Sequence, residues 1–361
     1  MKKTRIGIVG CGDISGIYLT NITGMFSSGL ELAGVCDLID TKVARAAEKY
    51  NVRKYADMHE LFADGSVEIV LNLTRPYEHY GVTMAAINSG KHVYSEKPLG
   101  ATLEEGKLLR AAAAKKGVQL GGAPDTFLGA GIQTCRKVID DGLIGRPVAA
   151  TALWASPGHE SWHPDPAFYY QFGGGPMLDM GPYYVTALVS LLGAVQSVCG
   201  MAHTPHATRL ITSQPHNGTV VDVETPTHIT GQMAFKNGTV ATLMTSYDVQ
   251  KHNLPMIEVY GTLGTLSVPD PNCFGGPVRL YRNETKTFEE IPLAFDYPEN
   301  SRGLGLYDMA AAIEEGRKPR AGVDLIFHVL EVMSGFLRSS ETKTYMEMET
   351  APEPPEAMKK T

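Results

Sequence analysis

His92-Val93-Tyr94-Ser95-Glu96-Lys97-Pro98 is the stretch on which the reading of the fold turns. An apolar-leaning run that stops at a proline reads as a strand opening into a loop, because proline has no N–H for the next ladder bond. The carboxyl end of a parallel strand is where open α/β sheets bind ligands. A lysine held partly desolvated at such an edge loses basicity and can exchange a proton near neutrality. Alone, Glu96-Lys97-Pro98 reads first as a solvated ion pair on a turn; the flanking sequence changes that reading.

Upstream, strand and helix signals alternate. Arg5-Ile6-Gly7-Ile8-Val9 is a short apolar strand running directly into Gly10-Cys11-Gly12-Asp13-Ile14-Ser15-Gly16 and a helical pattern at Ile17-Tyr18-Leu19. Strand, glycines and helix in that order give Gly-x-Gly a meaning it lacks in isolation. Gly10 permits the tight turn, and Gly12 lets a pyrophosphate approach backbone N–H groups at a helix N-terminus. Ser15 stands where this fingerprint has its third glycine, and is small enough to keep the helix close to the sheet. A second strand, 32–36, ends in Asp37, roughly 20 residues on, where a carboxylate holds an adenosine ribose through its hydroxyls. That carboxylate repels a 2′-phosphate, which favours NAD; Lys42 and Arg45 on the next helix keep NADP open. As a helix cap Asp37 is the weaker candidate, because Asp40-Thr41 is better placed to cap the helix that follows.

Helices over 41–50, 59–62, 80–89 and 103–116 and strands over 67–73 and 118–120 continue the alternation. Repeated strand-helix units imply a parallel sheet with right-handed crossovers. The Gly10 turn, Asp37, the loop Thr74-Arg75-Pro76-Tyr77-Glu78-His79 and Lys97 therefore share one sheet edge.

With 361 residues the chain can hold two domains. It is 43% hydrophobic and 20% charged, as ordinary globular proteins are, and its net charge of -7 offers nucleic acid no basic field. No apolar run approaches the roughly 20 residues of a membrane span. Met1-Lys2-Lys3-Thr4-Arg5 runs straight into the glycine turn and not into a leader, so a cytoplasmic location is expected. The cysteines Cys11, Cys36, Cys135, Cys199 and Cys273 are odd in number and widely spaced, which indicates neither a disulfide framework nor zinc.

Beyond Gly145-Arg146-Pro147 the period changes. Strand-like runs at 148–156, 195–203, 228–235, 239–247, 257–260, 265–268 and 278–281, with a hairpin signal at Lys236-Asn237-Gly238, predict an α+β domain on a large open, mostly antiparallel sheet. Such a sheet commonly covers its exposed face against a copy of itself, so a homodimer or homotetramer is expected. Helices close the chain at 303–316 and 325–339. The boundaries are 1–123 for the α/β domain with its parallel sheet, 124–345 for the second domain, whose last helices can pack back on the first, and 346–361 for a loose tail.

Gly173-Gly174-Gly175-Pro176-Met177-Leu178-Asp179-Met180-Gly181-Pro182-Tyr183-Tyr184 stands out inside the second domain. If Pro182 lies in the first turn of the helix at 185–192, Asp179 is its N-cap. The same spacing puts Asp179 and Tyr183 on one helix face at a terminus that favours anions. The two readings stand side by side.

Gly10-x-Gly12, Asp37, Thr74-x-Pro76-x-x-His79, Glu96-Lys97-Pro98 and the Gly173 to Tyr183 stretch, in that order over nearly the whole chain, resemble the Gfo/Idh/MocA family of NAD(P)-dependent oxidoreductases. The resemblance implies a Rossmann domain followed by an open-sheet domain, and hydride transfer at a hydroxyl or carbonyl carbon of a sugar, glycoside, inositol or related polyol. It implies Lys97 at the reacting oxygen and Asp179 orienting the substrate. At 183 the family usually has histidine, and tyrosine is a poor base near pH 7 unless a cation stabilises the phenolate. The proton then passes through Tyr183 with help from Lys97, or through Lys97 alone.

Cofactor contacts are expected from Gly10, Gly12, Asp13, Ile14, Asp37, Thr74, Pro76, His79, Glu96 and Lys97. Substrate contacts are expected from Asp125, Thr126, Trp162, His163, Asp179 and Tyr183, with aromatics suited to stacking on a sugar ring. Histidines 203, 206 and 216 show no ligand spacing, and no metal is expected. Two alternatives remain: tightly held NAD oxidising a sugar transiently during elimination or glycoside cleavage, and a nucleotide-sensing protein without turnover.

Overall fold

A computed structural model describes residues 3–359. Met1 and Lys2 of the basic start, and Lys360 and Thr361 of the expected tail, lie outside the described residues. The chain forms two compact units, Met1–Thr126 with Asn300–Phe327, and Phe127–Glu299 with His328–Thr361.

The first unit alternates β1 (Thr4–Val9), α1 (Ser15–Thr23), β2 (Leu30–Cys36), α2 (Asp40–Tyr50), β3 (Arg53–Lys54), α3 (Met58–Ala63), β4 (Ile69–Asn72), α4 (His79–Asn88), β5 (His92–Ser95), α5 (Leu103–Lys116) and β6 (Leu120–Gly122). Among the described residues these strands make one six-stranded sheet, ordered β3-β2-β1-β4-β5-β6. Every pairing in it is parallel. Ile6, Ile8, Val35, Ile69, Val70, Leu71, Val93 and Tyr94 are fully buried, as strands covered by helices on both faces require. Parallel strands end at one edge, and the expected edge loops follow those ends.

The second unit begins with α6 (Ala130–Asp140) and β7 (Pro147–Ala155), then α7 (Gly175–Asp179), α8 (Gly181–Leu192), β8 (Val195–His203), β9 (Thr208–Leu210), β10 (Val220–Asp222), β11 (His228–Phe235), β12 (Val240–Ser246), β13 (Ile257–Gly261), β14 (Gly264–Val268), β15 (Val278–Arg282) and β16 (Phe288–Ile291). The chain then runs through α9 (Leu304–Glu315), α10 (Val323–Thr342) and β17 (Met346–Glu347). Among the described residues the large sheet has nine strands, ordered β16-β15-β14-β13-β7-β12-β11-β8-β17, with β9 and β10 as a separate hairpin. One pair, β7 with β12, is parallel, and the other neighbours run antiparallel. One face packs inward through Ala150, Ala152, Ile229, Met233, Ala241, Leu243, Ile257 and Val259, each at most 2% exposed. α8 is buried at every position, so it runs through the core of this unit.

α9 belongs to the first unit, as a closing helix that packs back on it: Gly122 N donates to Ala321 O at 3.0 Å, and Asn21 Nδ2 donates to the Asn300 and Arg302 carbonyls at 2.9 Å each. Other expectations are corrected. Residues 346–359 are not loose. Met346 pairs with Val198, Met348 N donates to Gln196 O at 2.8 Å, and Met358 N donates to Gln133 Oε1 at 2.8 Å. A Glu- and Pro-rich composition hides such backbone partners. Asp179 ends α7 and does not cap α8, whose N-cap is Met180, so Asp179 and Tyr183 stand on separate helices. Nor does Asp40 cap α2; it pairs with Lys54. α6, not expected from the sequence, is amphipathic with Ile132, Cys135 and Val138 buried, but it starts at Gly129, which has no capping side chain.

Candidate active site

At the carboxyl edge of the first sheet, Gly10 turns the chain out of β1 at φ +103°, and a Cβ there would lie 2.7 Å from the Leu73 carbonyl. Only glycine serves that turn. A Cβ on Gly12 would meet nothing within 4 Å, so the backbone is open above the turn. The Ser15 hydroxyl donates to Gly12 O at 2.6 Å, which closes the turn from below. Asp13 and Ile14 are exposed beside it. Asp37, half-buried at the end of β2, accepts Cys11 N at 2.6 Å and Ile39 N at 2.8 Å, which sets its carboxylate against the glycine turn. Burial and Asp37 push the Cys11 thiol up to about 12, so it stays protonated.

The next loops are pinned from behind. Asn72 Oδ1 accepts both the amide and the hydroxyl of Thr74, at 3.1 and 2.7 Å, while its Nδ2 donates to His79 O and Thr83 Oγ1. His79 is 1% exposed, its Nδ1 2.8 Å from Pro98 O and its Nε2 2.9 Å from Thr74 O. Burial lowers its pKa, against the upward pull of those two carbonyls. Glu96, 8% exposed, accepts Tyr18 O–H at 2.7 Å and Lys97 N at 3.0 Å. Read from sequence as cofactor contacts, His79 and Glu96 are buried and hold the loops that carry Thr74, Pro76 and Lys97. Lys97 is half-buried.

Asp125 and Thr126, expected as substrate contacts, follow β6. Both are buried, at 1% and 2% exposure, and Asp125 Oδ2 accepts Gly303 N at 2.8 Å and Gly305 N at 3.0 Å. Asp125 is thus a cap for α9, which its position after a β-strand did not reveal.

The second unit builds its own polar centre. Because β7 and β12 run parallel, their carboxyl ends lie side by side and bring Trp154 and Tyr247 together, ring centroids 5.6 Å apart. α7 delivers Asp179 to this end of the sheet. Asp179 Oδ2 accepts Tyr247 O–H at 3.0 Å and lies 3.3 Å from His159 Nε2. Burial, then Asp179, pushes the Tyr247 pKa well up, so its hydroxyl is a firm donor. His159 follows Gly158, whose φ is +100° and whose Cβ would fall 2.6 Å from the Tyr170 hydroxyl. The imidazole lies among Tyr169, Tyr247, Trp162 and Trp154, at centroid distances of 4.0, 4.8, 5.1 and 6.3 Å. Trp162 is 61% exposed and packs edge-on against His159 and His163, at centroid distances of 5.1 and 5.3 Å. His163, offered by the sequence either as a substrate contact or as a loop hydrogen bonder, turns its Nδ1 to Asp165 N at 3.0 Å within the loop. Tyr183 opens α8 at 8% exposure.

The hairpin β9–β10 holds this loop. Arg209 pairs with Glu160 at 3.1 Å and with Asp248, all three about 10% exposed. Thr212 N and Ser213 N donate to Glu160 O at 2.9 Å each, and Ser213 Oγ donates to His163 O at 2.5 Å. Sequence reasoning missed Tyr247 and Asn72, whereas His159 stands in the aromatic run 154–163 that the sequence offers for substrate contact. The aromatic run around His159 was the available signal, and it did not separate position 159 from 163. Among the described residues no group of three His, Cys, Asp or Glu side chains could hold a metal ion.

Comparison with known proteins bears on both units. Residues 4–122 match the family described as "Oxidoreductase family, NAD-binding Rossmann fold", and residues 132–267 match the "GFO/IDH/MocA C-terminal domain". The inositol 2-dehydrogenase of Salmonella typhimurium is 33% identical over 152 residues, 40% of this chain and 44% of that enzyme. The 1,5-anhydro-D-fructose reductase of Ensifer adhaerens is 31% identical over 180 residues, 49% of this chain and 53% of that enzyme. This chain thus spans about half the length of the curated relatives it matches. A crystal structure of an NAD binding oxidoreductase from Klebsiella pneumoniae has the same fold, with TM-score 0.83 at 22% identity over 96% of this chain and 99% of that one. A Rossmann edge with its glycine turn and Lys97 loop, and the matching second domain, make the chain a member of the Gfo/Idh/MocA family of oxidoreductases.

Proposed function

We propose that the protein is an NAD-dependent dehydrogenase or reductase acting on the CH–OH or C=O carbon of a sugar, glycoside, inositol or related polyol. The observation that carries the reading is the open Gly10–Gly12 turn with Asp37 set against it, in a chain of an NAD-binding oxidoreductase family. The residues fit the cofactor: open backbone above Gly12 at the start of α1 takes a pyrophosphate, and Asp37 takes the ribose hydroxyls. Leu38, wholly exposed beside Asp37, supplies no cation for a 2′-phosphate, which favours NAD over NADP. When bound, NAD supplies the hydride acceptor or donor. Thr74, Pro76, Asp13 and Ile14 line the same edge in this reading, with Asn72, His79 and Glu96 supporting the loops.

In this mechanism Lys97 hydrogen-bonds the reacting oxygen and moves its proton, Asp179 orients the substrate by accepting from a neighbouring hydroxyl, and Tyr183 binds or relays the proton. Trp162 offers an apolar face for a pyranose or cyclitol ring. The relatives that act on inositol and on an anhydro-sugar favour a polyhydroxylated ring as substrate. The reading takes the enzyme as cytoplasmic, in keeping with cysteines that form no disulfide among the described residues, and as a homodimer or homotetramer through the outer face of the large sheet.

The test is a screen of inositols, monosaccharides, glycosides and anhydro-sugars with NAD and with NADP, following reduced nicotinamide. Lys97→Ala is expected to lose on the order of 10²–10⁴-fold in turnover with NAD binding retained. An alanine variant as active as wild type removes Lys97 from the reaction. Tyr183→Phe separates the proton routes: near-full turnover assigns the proton to Lys97 alone.

A further inference from the structure

We infer that His159 is a positioning residue for the proposed reaction: its Nε2–H and the Tyr247 hydroxyl share one oxygen of Asp179 and so fix the carboxylate that orients the substrate. This deepens the dehydrogenase reading and rests on it for the chemistry, while the bonding it asserts can be observed without turnover.

Asp179 Oδ2 receives Tyr247 O–H at 3.0 Å and lies 3.3 Å from His159 Nε2. An ionised carboxylate only accepts, so the imidazole proton sits on Nε2. In a neutral ring that leaves Nδ1 as a bare lone pair. Nδ1 is buried and has no hydrogen-bond partner, and His159 as a whole is 7% exposed. Orphaned buried N–H groups are rarer than under-satisfied acceptors, which again puts the proton on Nε2.

The titratable and charged groups around the ring are accounted for. Arg209 pairs with both Glu160 and Asp248. The Tyr170 hydroxyl accepts His159 N at 3.2 Å and so ties the backbone of this residue. Tyr169 stacks at a tilt of 42°, and the Tyr247 and Trp162 rings meet the imidazole edge-on, which fixes the ring plane. His163 is turned to Asp165 N. Asp179 is the carboxylate left for His159 to serve. A carboxylate held by two donors on one oxygen keeps one rotamer, and misplacement of a substrate-orienting group by about 1 Å costs on the order of 10²-fold in rate.

The experiment uses the full chain with NAD and the best polyol from the screen. His159→Gln carries an amide nitrogen near the place of Nε2, whereas His159→Leu carries none. The leucine variant is expected to lose about 10–100-fold in kcat with KM changed less than threefold, and the glutamine variant to keep roughly a fifth or more of wild-type kcat. The leucine substitution combined with Tyr247→Phe is expected to fall short of the product of the single losses, because both donors serve one oxygen. Full activity in the leucine variant, a glutamine variant as impaired as leucine, or strictly multiplicative losses overturn the inference. Nitrogen-15 NMR of histidine-labelled enzyme without substrate is expected to show the His159 Nε2–H tautomer and a shift of that resonance on Asp179→Asn. An Nδ1–H tautomer, or a spectrum indifferent to that substitution, also overturns it. If the leucine variant does not fold, the glutamine variant and the NMR decide. If wild type turns over no polyol, the dehydrogenase reading fails, and the NMR result alone decides the role of His159.

Discussion

Burial pushes the Asp125 carboxyl up to about 6, against two glycine N–H groups at the start of α9 that favour its charged form. A carboxyl whose folded-state pKa lies above the ordinary value near 3.9 binds its proton more tightly folded than unfolded. Its contribution to stability is full below about pH 4 and is lost as pH rises through about 6. Urea unfolding of wild type and Asp125→Asn is therefore expected to show wild type losing on the order of 2 kcal/mol relative to the variant between pH 4 and pH 7. A constant difference over that range rejects the assignment. Residues of this kind are the ones the sequence did not disclose. The positions of Lys97, Asp37 and the Gly10 turn at strand ends were legible because strand ends and glycines fix them locally. Asp125 looked identical at the end of β6, but its partners are about 180 residues away, and no local pattern carries that information. His159 and His163 sit in one aromatic loop, and the side chain that turns inward is chosen by Gly158 and by a hairpin some 50 residues on.

At the scale of elements, the first unit followed the sequence closely because short apolar strands alternate there with longer helical stretches, even where a helix such as α4 has no side-chain cap. The small pieces did not. β9 and β10 have three residues each, too few for a period, yet Arg209 on β9 ties the site loop to the large sheet through Glu160 and Asp248. Thr227 Oγ1 donates to Asp248 Oδ2 at 2.7 Å, so the network continues to the start of β11. Removing one member of a buried ion network leaves the others uncompensated, at a cost of about 3–5 kcal/mol. Arg209→Met is expected to lower unfolding stability by that amount and to open the 157–175 loop to proteolysis, whereas replacing Arg209, Glu160 and Asp248 together by apolar residues recovers part of the loss. Single and triple variants of equal stability would show that the network does not hold the loop.

At the scale of the whole molecule, the large sheet has one face against helices and another that the chain leaves half open. Register places Leu153, Met244, Thr230 and Met201 opposite one another on β7, β12, β11 and β8, a row across four neighbouring strands. Met201 is 77% exposed, and the other three are half-buried. A row of two methionines and a leucine, interrupted by Thr230, on a broad open sheet is a patch that a partner can cover, and a self-complementary face closes most simply about a two-fold axis. A stable pairing needs roughly 1,200–2,000 Å² of total buried surface, which a sheet of this breadth can supply where a hairpin cannot. Met244→Lys sets a charge in the centre of that row, next to its own copy across a two-fold. Light scattering at micromolar concentration is expected to give a dimer or tetramer for wild type and a monomer for the variant. The substitution points away from the core, so the unfolding midpoint of the separated chain should change by less than about 1 kcal/mol. A monomeric wild type, or a variant that keeps its assembly, removes this face from the interface.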